Sequence, residues 1–328
     1  MIKNKIPICS CSQFFSMLFF LLFITSLMAQ DTSDWAKPLQ SAQNLLDKKE
    51  YLSALREFKT HAELGNGLAQ FNVALFYDFG WGVSEHRDMA CVWYKKAALS
   101  NMPGAMQQLG QCYQYGTGIE QNNKEAILWY TKAYEQGIYA AYCEAGLILL
   151  ERMPKNITKG IQLCIKGAEL GAINAQQNLA KWYFYGDYLP QDYHHAYRWL
   201  NFVAGIKSPE SAYLLAQYYD RGIDMEIDTK QALKWYEIAA SQGYKKAYLP
   251  TAALYWLEFT QNNNPALLAK TYLWTRTSCR VNDVDQRLNK SLMEQILKVM
   301  PTPWQIDLNS QVETHLAKFN KLGQNTDC

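Results

Sequence analysis

Two periods are superposed along this chain. Over about a dozen residues, apolar positions return every three or four places, the spacing of one face of an α-helix. On a longer scale small residues recur: Ala54, Ala90, Ala126, Gly160, Ala196 and Ala232 are 36, 36, 34, 36 and 36 residues apart. Ala69, Ala105, Ala141, Ala175, Ser211 and Ala247 repeat the same five intervals. Two independent series that share one two-residue deletion mark a repeating unit, and such units stack into a solenoid instead of closing around a single core.

Each unit reads as two helices. The first carries small or apolar residues at its anchor and four, five and eight places beyond, as in Ala105, Leu109, Gly110 and Tyr113, or Ala175, Leu179, Ala180 and Tyr183. At about 100° per residue these positions share one face. Glycine pairs such as Gly80/Gly82 and Gly116/Gly118 then stop the helix, because glycine accepts the positive φ of a C-terminal cap. The second helix opens near Asp88, Asn123 or Asp228, residues suited to capping. It sets Ala90 before Trp93-Tyr94, Ala126 before Trp129-Tyr130, Ala196 before Trp199, and Ala232 before Trp235-Tyr236. The alanine lets helices approach and the indole three places on fills the gap. Trp129 and Trp235 are therefore expected in the core, and the 14% aromatic content has a structural reason.

The segment Leu109-Gly110-Gln-Cys-Tyr113-Gln-Tyr-Gly116-Thr-Gly118, followed by Lys124-Glu-Ala126-Ile-Leu-Trp129-Tyr130-Thr-Lys132-Ala133, resembles the Sel-one-like repeat, a relative of the tetratricopeptide repeat. The resemblance runs over roughly residues 33 to 280, with the units anchored at Ala105 and Ser211 matching best. It implies an all-α fold: a right-handed solenoid of about six to seven antiparallel helix pairs that serves as a non-catalytic adaptor. Residues 33–65, with the short link Asp47-Lys-Lys-Glu50, look like a plain tetratricopeptide unit, and residues 66–280 hold the Sel-one-like repeats. The unit anchored at Ala141 lacks the glycines and has Leu163 in place of Trp. Another irregular link, Asn262-Asn-Asn-Pro265, precedes Trp274. Residues 281–328 are expected to cap the array through two helices, 286–300 and 304–322, that present a polar outer face.

The N-terminus has Lys3 and Lys5, an apolar run from Phe14 to Met28, and Ala29, the pattern of a secretory signal peptide spanning residues 1–29. The run falls short of the roughly 20 residues a membrane span needs, although an uncleaved segment would be the one point of membrane contact. Cleavage leaves 30 basic residues, the 32 less Lys3 and Lys5, against 30 acids. A formally neutral chain offers no basic patch for nucleic acid. A periplasmic or secreted location follows, with a bacterial host interaction as one setting. An endoplasmic-reticulum adaptor is the counterpart if the source is eukaryotic, since Asn156-Ile-Thr158 has the form of a glycosylation acceptor in a loop. Of the six remaining cysteines (Cys91, Cys112, Cys143, Cys164, Cys279 and Cys328), most are expected as buried thiols beside one or two bridges.

No phosphate-binding glycine loop, Gly-x-Ser-x-Gly or His-Glu-x-x-His occurs. His194 and His195, read as a solvated loop pair, do not converge on a metal ion, and no cofactor is expected. The enzymatic alternative is β-lactam hydrolysis, linked to a cysteine-rich subgroup of the same family. It fits poorly, because no Ser-x-x-Lys is present and the cysteines do not pair within successive repeats.

A protein or peptide partner is instead expected on the first-helix stripe two, six and nine places beyond each anchor, opposite the packed face. These positions are Gln107, Gln111 and Gln114; Gln177, Lys181 and Phe184; and Tyr213, Gln217 and Asp220. Amides beside aromatic rings suit the backbone of an extended peptide. Cys143, Leu147 and Leu150 would add an apolar patch.

Overall fold

The computed structural model describes residues 33–203, 208–281 and 286–319. The signal segment, residues 1–29, lies outside them, as does Cys328. Among the described residues all regular structure is helical. After a lead-in over residues 33–39 come α1 (Gln40–Asp47), α2 (Tyr51–Glu63), α3 (Gly67–Phe79), α4 (Arg87–Leu99), α5 (Pro103–Tyr115), α6 (Asn123–Glu135), α7 (Ala140–Arg152) and α8 (Ile157–Glu169). They are followed by α9 (Ile173–Tyr185), α10 (Tyr193–Val203), α11 (Pro209–Arg221), α12 (Thr229–Ser241), α13 (Lys245–Asn262), α14 (Pro265–Arg280), α15 (Gln286–Leu297) and α16 (Thr302–Lys318).

The described residues form two compact bodies, one up to Leu163 and one from Cys164 onward. In the first, each helix from α1 to α7 packs on the next. In the second the same serial packing runs from α9 to α14, and α15 and α16 both rest on α14. Short connections make neighbours antiparallel, so each body is a stack of helix pairs, the α-solenoid arrangement that the period implies.

The anchors make this stacking possible. The alanines of both series are buried, and two positions carry glycine where even a methyl is too large. A Cβ on Gly110 would lie 2.7 Å from the Tyr130 ring, and one on Gly160 would lie 2.7 Å from the Gly146 carbonyl oxygen. Four first helices stop at Gly80, Gly116, Gly186 and Gly222, all left-handed with φ of 66, 70, 77 and 65°. The glycine-free link after α13 performs the same stop with Asn263 at φ 48°, since asparagine tolerates this region better than other side chains. Asn264 then caps α14 through its side chain, with Pro265 at the first helical position.

Second-helix starts differ slightly from expectation. Asp228 caps α12 as expected, but Asn122 caps α6 and His86 caps α4, which leaves Asn123 and Asp88 inside the first turn. Trp93 and Trp129 are buried, whereas Trp199 and Trp235 are half-buried, so Trp235 is a core-edge residue. Asn156 lies in a 3-10 turn rather than an open loop. The C-terminal helices start and end within a few residues of the expected bounds. Their outer face is not uniformly polar, because Leu288, Val299 and Ile306 are exposed.

The cysteines depart furthest. Cys91 on α4 and Cys112 on α5 form a disulfide with Cα atoms 6.0 Å apart, and Cys143, Cys164 and Cys279 are also disulfide-bonded. Mostly buried thiols beside one or two bridges were the expectation, whereas all five described cysteines are bridged. The residues that face each other across helices in these stacks are close enough for bridging, and spacing alone could not show that.

Candidate functional site

The expected stripe lies on α5 in the first body and on α9 and α11 in the second. On α5, Gln111 is exposed and Gln107 and Gln114 are half-buried. Gln107 donates from Nε2 to Glu144 Oε1 on α7 at 2.9 Å. On α9, Gln177 and Lys181 are half-buried, and Lys181 pairs with Glu210 of α11 at 3.2 Å. On α11, Tyr213 and Asp220 are half-buried.

Two stripe residues lie inside instead of on the surface. Phe184 is 4% exposed and packs edge-on against Tyr193 and Tyr218. Gln217 is 6% exposed and donates to the Tyr213 hydroxyl at 3.1 Å. The apolar patch is not a surface feature either, since Cys143 and Leu150 are buried and Leu147 is half-buried.

The ninth position has a recurrent internal role. Tyr94, Tyr130 and Tyr236, each four places past a second-helix anchor, donate their hydroxyls to Asp78 (2.9 Å), Gln114 (2.7 Å) and Asp220 (3.0 Å), always 16 residues upstream. Each bond ties the second helix of a unit to its first. Burial first, and then the nearby carboxylates Asp78, Glu144 and Asp220, push the three phenols well above their ordinary range, so they remain protonated donors. In the Ala175 unit the same two positions are Phe184 and Leu200, both buried in one apolar cluster. Gln114 and Asp220 are therefore acceptors for their own repeat. Among the described residues Gln111 and Gln177 are left with uncommitted amides.

Two features escaped the spacing rule. Glu144 stands three places past its anchor, at the edge of the stripe by angle, and burial pushes its carboxyl up to about 7 against the hydrogen bond it accepts from Gln107. In the second body Tyr185, Tyr213 and Tyr244 gather beside Glu210, with the Tyr213 and Tyr244 rings 5.1 Å apart. The aromatic count signalled such clusters, but helical angle did not locate Tyr244, which caps α13.

Little here suits bond-making chemistry. A shallow cleft of about 300 Å³ is lined by Leu99, Met106, Trp129, Lys132 and Gln136, among others, and carries no nucleophile beside a base. Lys132 is spread over the Trp129 ring at 4.1 Å, as Lys96 is over Trp93 at 3.9 Å. His194 and His195 lie in the first turn of α10, not in a loop. The Asp192 carboxylate accepts the His195 backbone N–H at 2.9 Å and bonds the His195 ring at 2.7 Å, and these two contacts, the backbone one first, hold that carboxyl below its usual range. Among the described residues no three His, Cys, Asp or Glu side chains gather as metal ligands, and no helix is long and apolar enough to cross a membrane.

Comparison with known proteins adds the family context. The family profile described as Sel1 repeat matches residues 67–102, 103–138, 140–171, 173–201 and 209–244. These bounds follow the helix pairs α3/α4 to α11/α12. An uncharacterised protein of Neisseria meningitidis serogroup B is 26% identical over 204 residues, 62% of this chain and 43% of that protein, so the chain spans less than half the length of this curated relative. Among solved structures, a Sel1 repeat protein of Oxalobacter formigenes is 25% identical with a TM-score of 0.60, covering 80% of this chain and 100% of its own. A protective antigen of uropathogenic Escherichia coli strains, displaying an SLR fold, is 19% identical with a TM-score of 0.52 over 85% of this chain and 68% of its own.

Proposed function

The chain belongs to the Sel1 repeat family, and we propose that it is a non-catalytic adaptor that holds a protein or peptide partner outside the cytoplasm. The repeat scaffold itself fits a protein-interaction role. The observation that carries the finer reading is the first-helix face of each body. It presents amides and phenols, Gln111 on α5 and Gln177, Lys181 and Tyr213 on α9 and α11, without a nucleophile and base in reach of one another. Such a surface can hydrogen-bond an extended chain and has no means of cleaving it.

The compartment is supported by two features. Residues 1–29 have the signal pattern, and among the described residues five cysteines are disulfide-bonded, which oxidising compartments favour. Mass spectrometry of protein from the producing cell is expected to find residue 30 near the N-terminus, and a retained residue 1–29 segment would refute export.

The binding face is tested by pull-down with the exported chain from its own envelope and from host-cell extracts, beside a Gln111→Ala/Gln177→Ala/Lys181→Ala variant. Loss of capture at unchanged helicity and melting supports the face. Undiminished capture moves the site to the second helices or loops, and the extract that supplies the partner decides between an envelope and a host role. The β-lactam alternative predicts turnover of a chromogenic cephalosporin, and we expect none.

A further inference from the structure

We infer that the first-helix face of the N-terminal body receives a basic side chain, Arg or Lys, of an extended partner peptide, with Glu144 as its countercharge. This inference rests on the adaptor reading and names the chemistry of the partner.

The charge pattern points there first. Of the first helices in that body, α1 and α3 carry Asp47 and Asp78 as their one charged residue each, α5 carries none, and α7 carries Glu144, Glu151 and, at its last position, Arg152. The second helices hold the lysines: Lys95 and Lys96 on α4, Lys124 and Lys132 on α6. The segregation is by helix, so the first helices offer carboxylates almost without cations.

Geometry then singles out one acid. Asp78 already accepts the Tyr94 hydroxyl at 2.9 Å, and Glu151 is exposed to water near the end of α7. Glu144 is half-buried between helices, held by Gln107 at 2.9 Å from α5 and lying beside the Tyr130 phenol of α6, whose own proton goes to Gln114. Neither helix brings a base to it, and no ion pair of Glu144 occurs among the described residues. A carboxylate taken partly from water and given only neutral donors lacks compensation, which an incoming cation supplies. Its raised proton affinity, to about 7, is the same deficit seen from the proton's side. Exposed Gln111 on the neighbouring helix can bond the peptide backbone beside the bound side chain.

The sign of the pH effect follows. Glu144 is neutral below about pH 7 and charged above it, and the groups facing it, Gln107 and Tyr130, keep one protonation state through this range. Capture of a cation therefore strengthens from pH 6 to pH 8.

An array of octapeptides that differ only at the central residue (Arg, Lys, Gln, Glu or Phe) is probed with the full chain and with Glu144→Gln. The variant keeps an acceptor for Gln107, and thermal melting verifies its fold. Expected is retention of the Arg and Lys peptides about tenfold above the Gln peptide, rising from pH 6 to pH 8, and loss of both preferences in Glu144→Gln. A basic preference that survives in Glu144→Gln, or a preference for Gln, Glu or Phe, overturns the inference and leaves the adaptor reading standing. Retention of no peptide overturns the inference and counts against the peptide-binding face as well.

Discussion

The joint between α4 and α5 and the joint between α10 and α11 share one register and are closed by different chemistry. One place past the second-helix anchor and seven past the next first-helix anchor stand Cys91 and Cys112, joined as a disulfide, in the first joint. The same places hold Tyr197 and Tyr218, with ring centroids 5.4 Å apart, in the second. The tie within each unit diverges likewise: Tyr130 donates to Gln114 in the Ala105 unit, while Leu200 and Phe184 meet in the Ala175 unit. What the repeat constrains is a matched pair. Both partners can be polar or both apolar at little net difference, but a mixed pair leaves a buried group unsatisfied.

The widest expected gap concerns the indoles. Trp129→Ala, at 8% exposure, should cost about 3–5 kcal/mol, the usual range for emptying a core site of that size. Half-buried Trp235 should cost clearly less when truncated. Denaturant unfolding of the two variants checks the order, and equal losses would mean that the units are not as different as their burial. Next comes the staple. Replacing Cys91 and Cys112 together by alanine should cost roughly 3 kcal/mol from the loop that the bridge closes. A loss no larger than that of Tyr197→Ala would make ring contact and disulfide interchangeable at this joint.

Much of this was legible in the residue pattern, for stated reasons. The 36-residue period gave the helix pairs, because small anchors recur wherever helices must touch. Glycine stops marked four first-helix ends, and Asn263 hid a fifth because a non-glycine residue took the left-handed position. The candidate stripe was legible in part. Helical angle placed Gln111 outside correctly as geometry, yet set Phe184 and Gln217 on the same side although neighbouring helices bury them. Angle describes one helix, and in a stack each first helix is flanked by others. Glu144 went unseen because its environment is made by Gln107 and Tyr130, contributed by two other helices.

The matched-pair rule itself is tested by mixing the pairs. Phe184→Gln sets an amide against Leu200 in an apolar cluster, so about 2–3 kcal/mol should be lost through an unsatisfied polar group and lost ring packing. Adding Leu200→Tyr restores the pairing seen in the Ala105 unit and should recover part of that loss. Strict additivity of the two changes would show that the positions do not interact.

The smallest effect expected is that of Tyr130→Phe. It removes the hydroxyl that ties α6 to α5 and keeps the ring, so the Gly110 contact and the core volume are unchanged. What remains is the Gln114 amide oxygen without its donor. That residue is half-buried, so its amide can turn toward water and avoid the full penalty of a buried orphan. The net cost should therefore be about 1 kcal/mol, typical of one neutral hydrogen bond. Tyr94→Phe strands the Asp78 carboxylate instead of an amide, and bonds to charged groups are worth more, so it should cost more than Tyr130→Phe. Parallel guanidinium melts read both, and a Tyr130→Phe loss as large as that of Phe184→Gln would mean that the Ala105 unit depends on its polar tie more than the Ala175 unit depends on its apolar one.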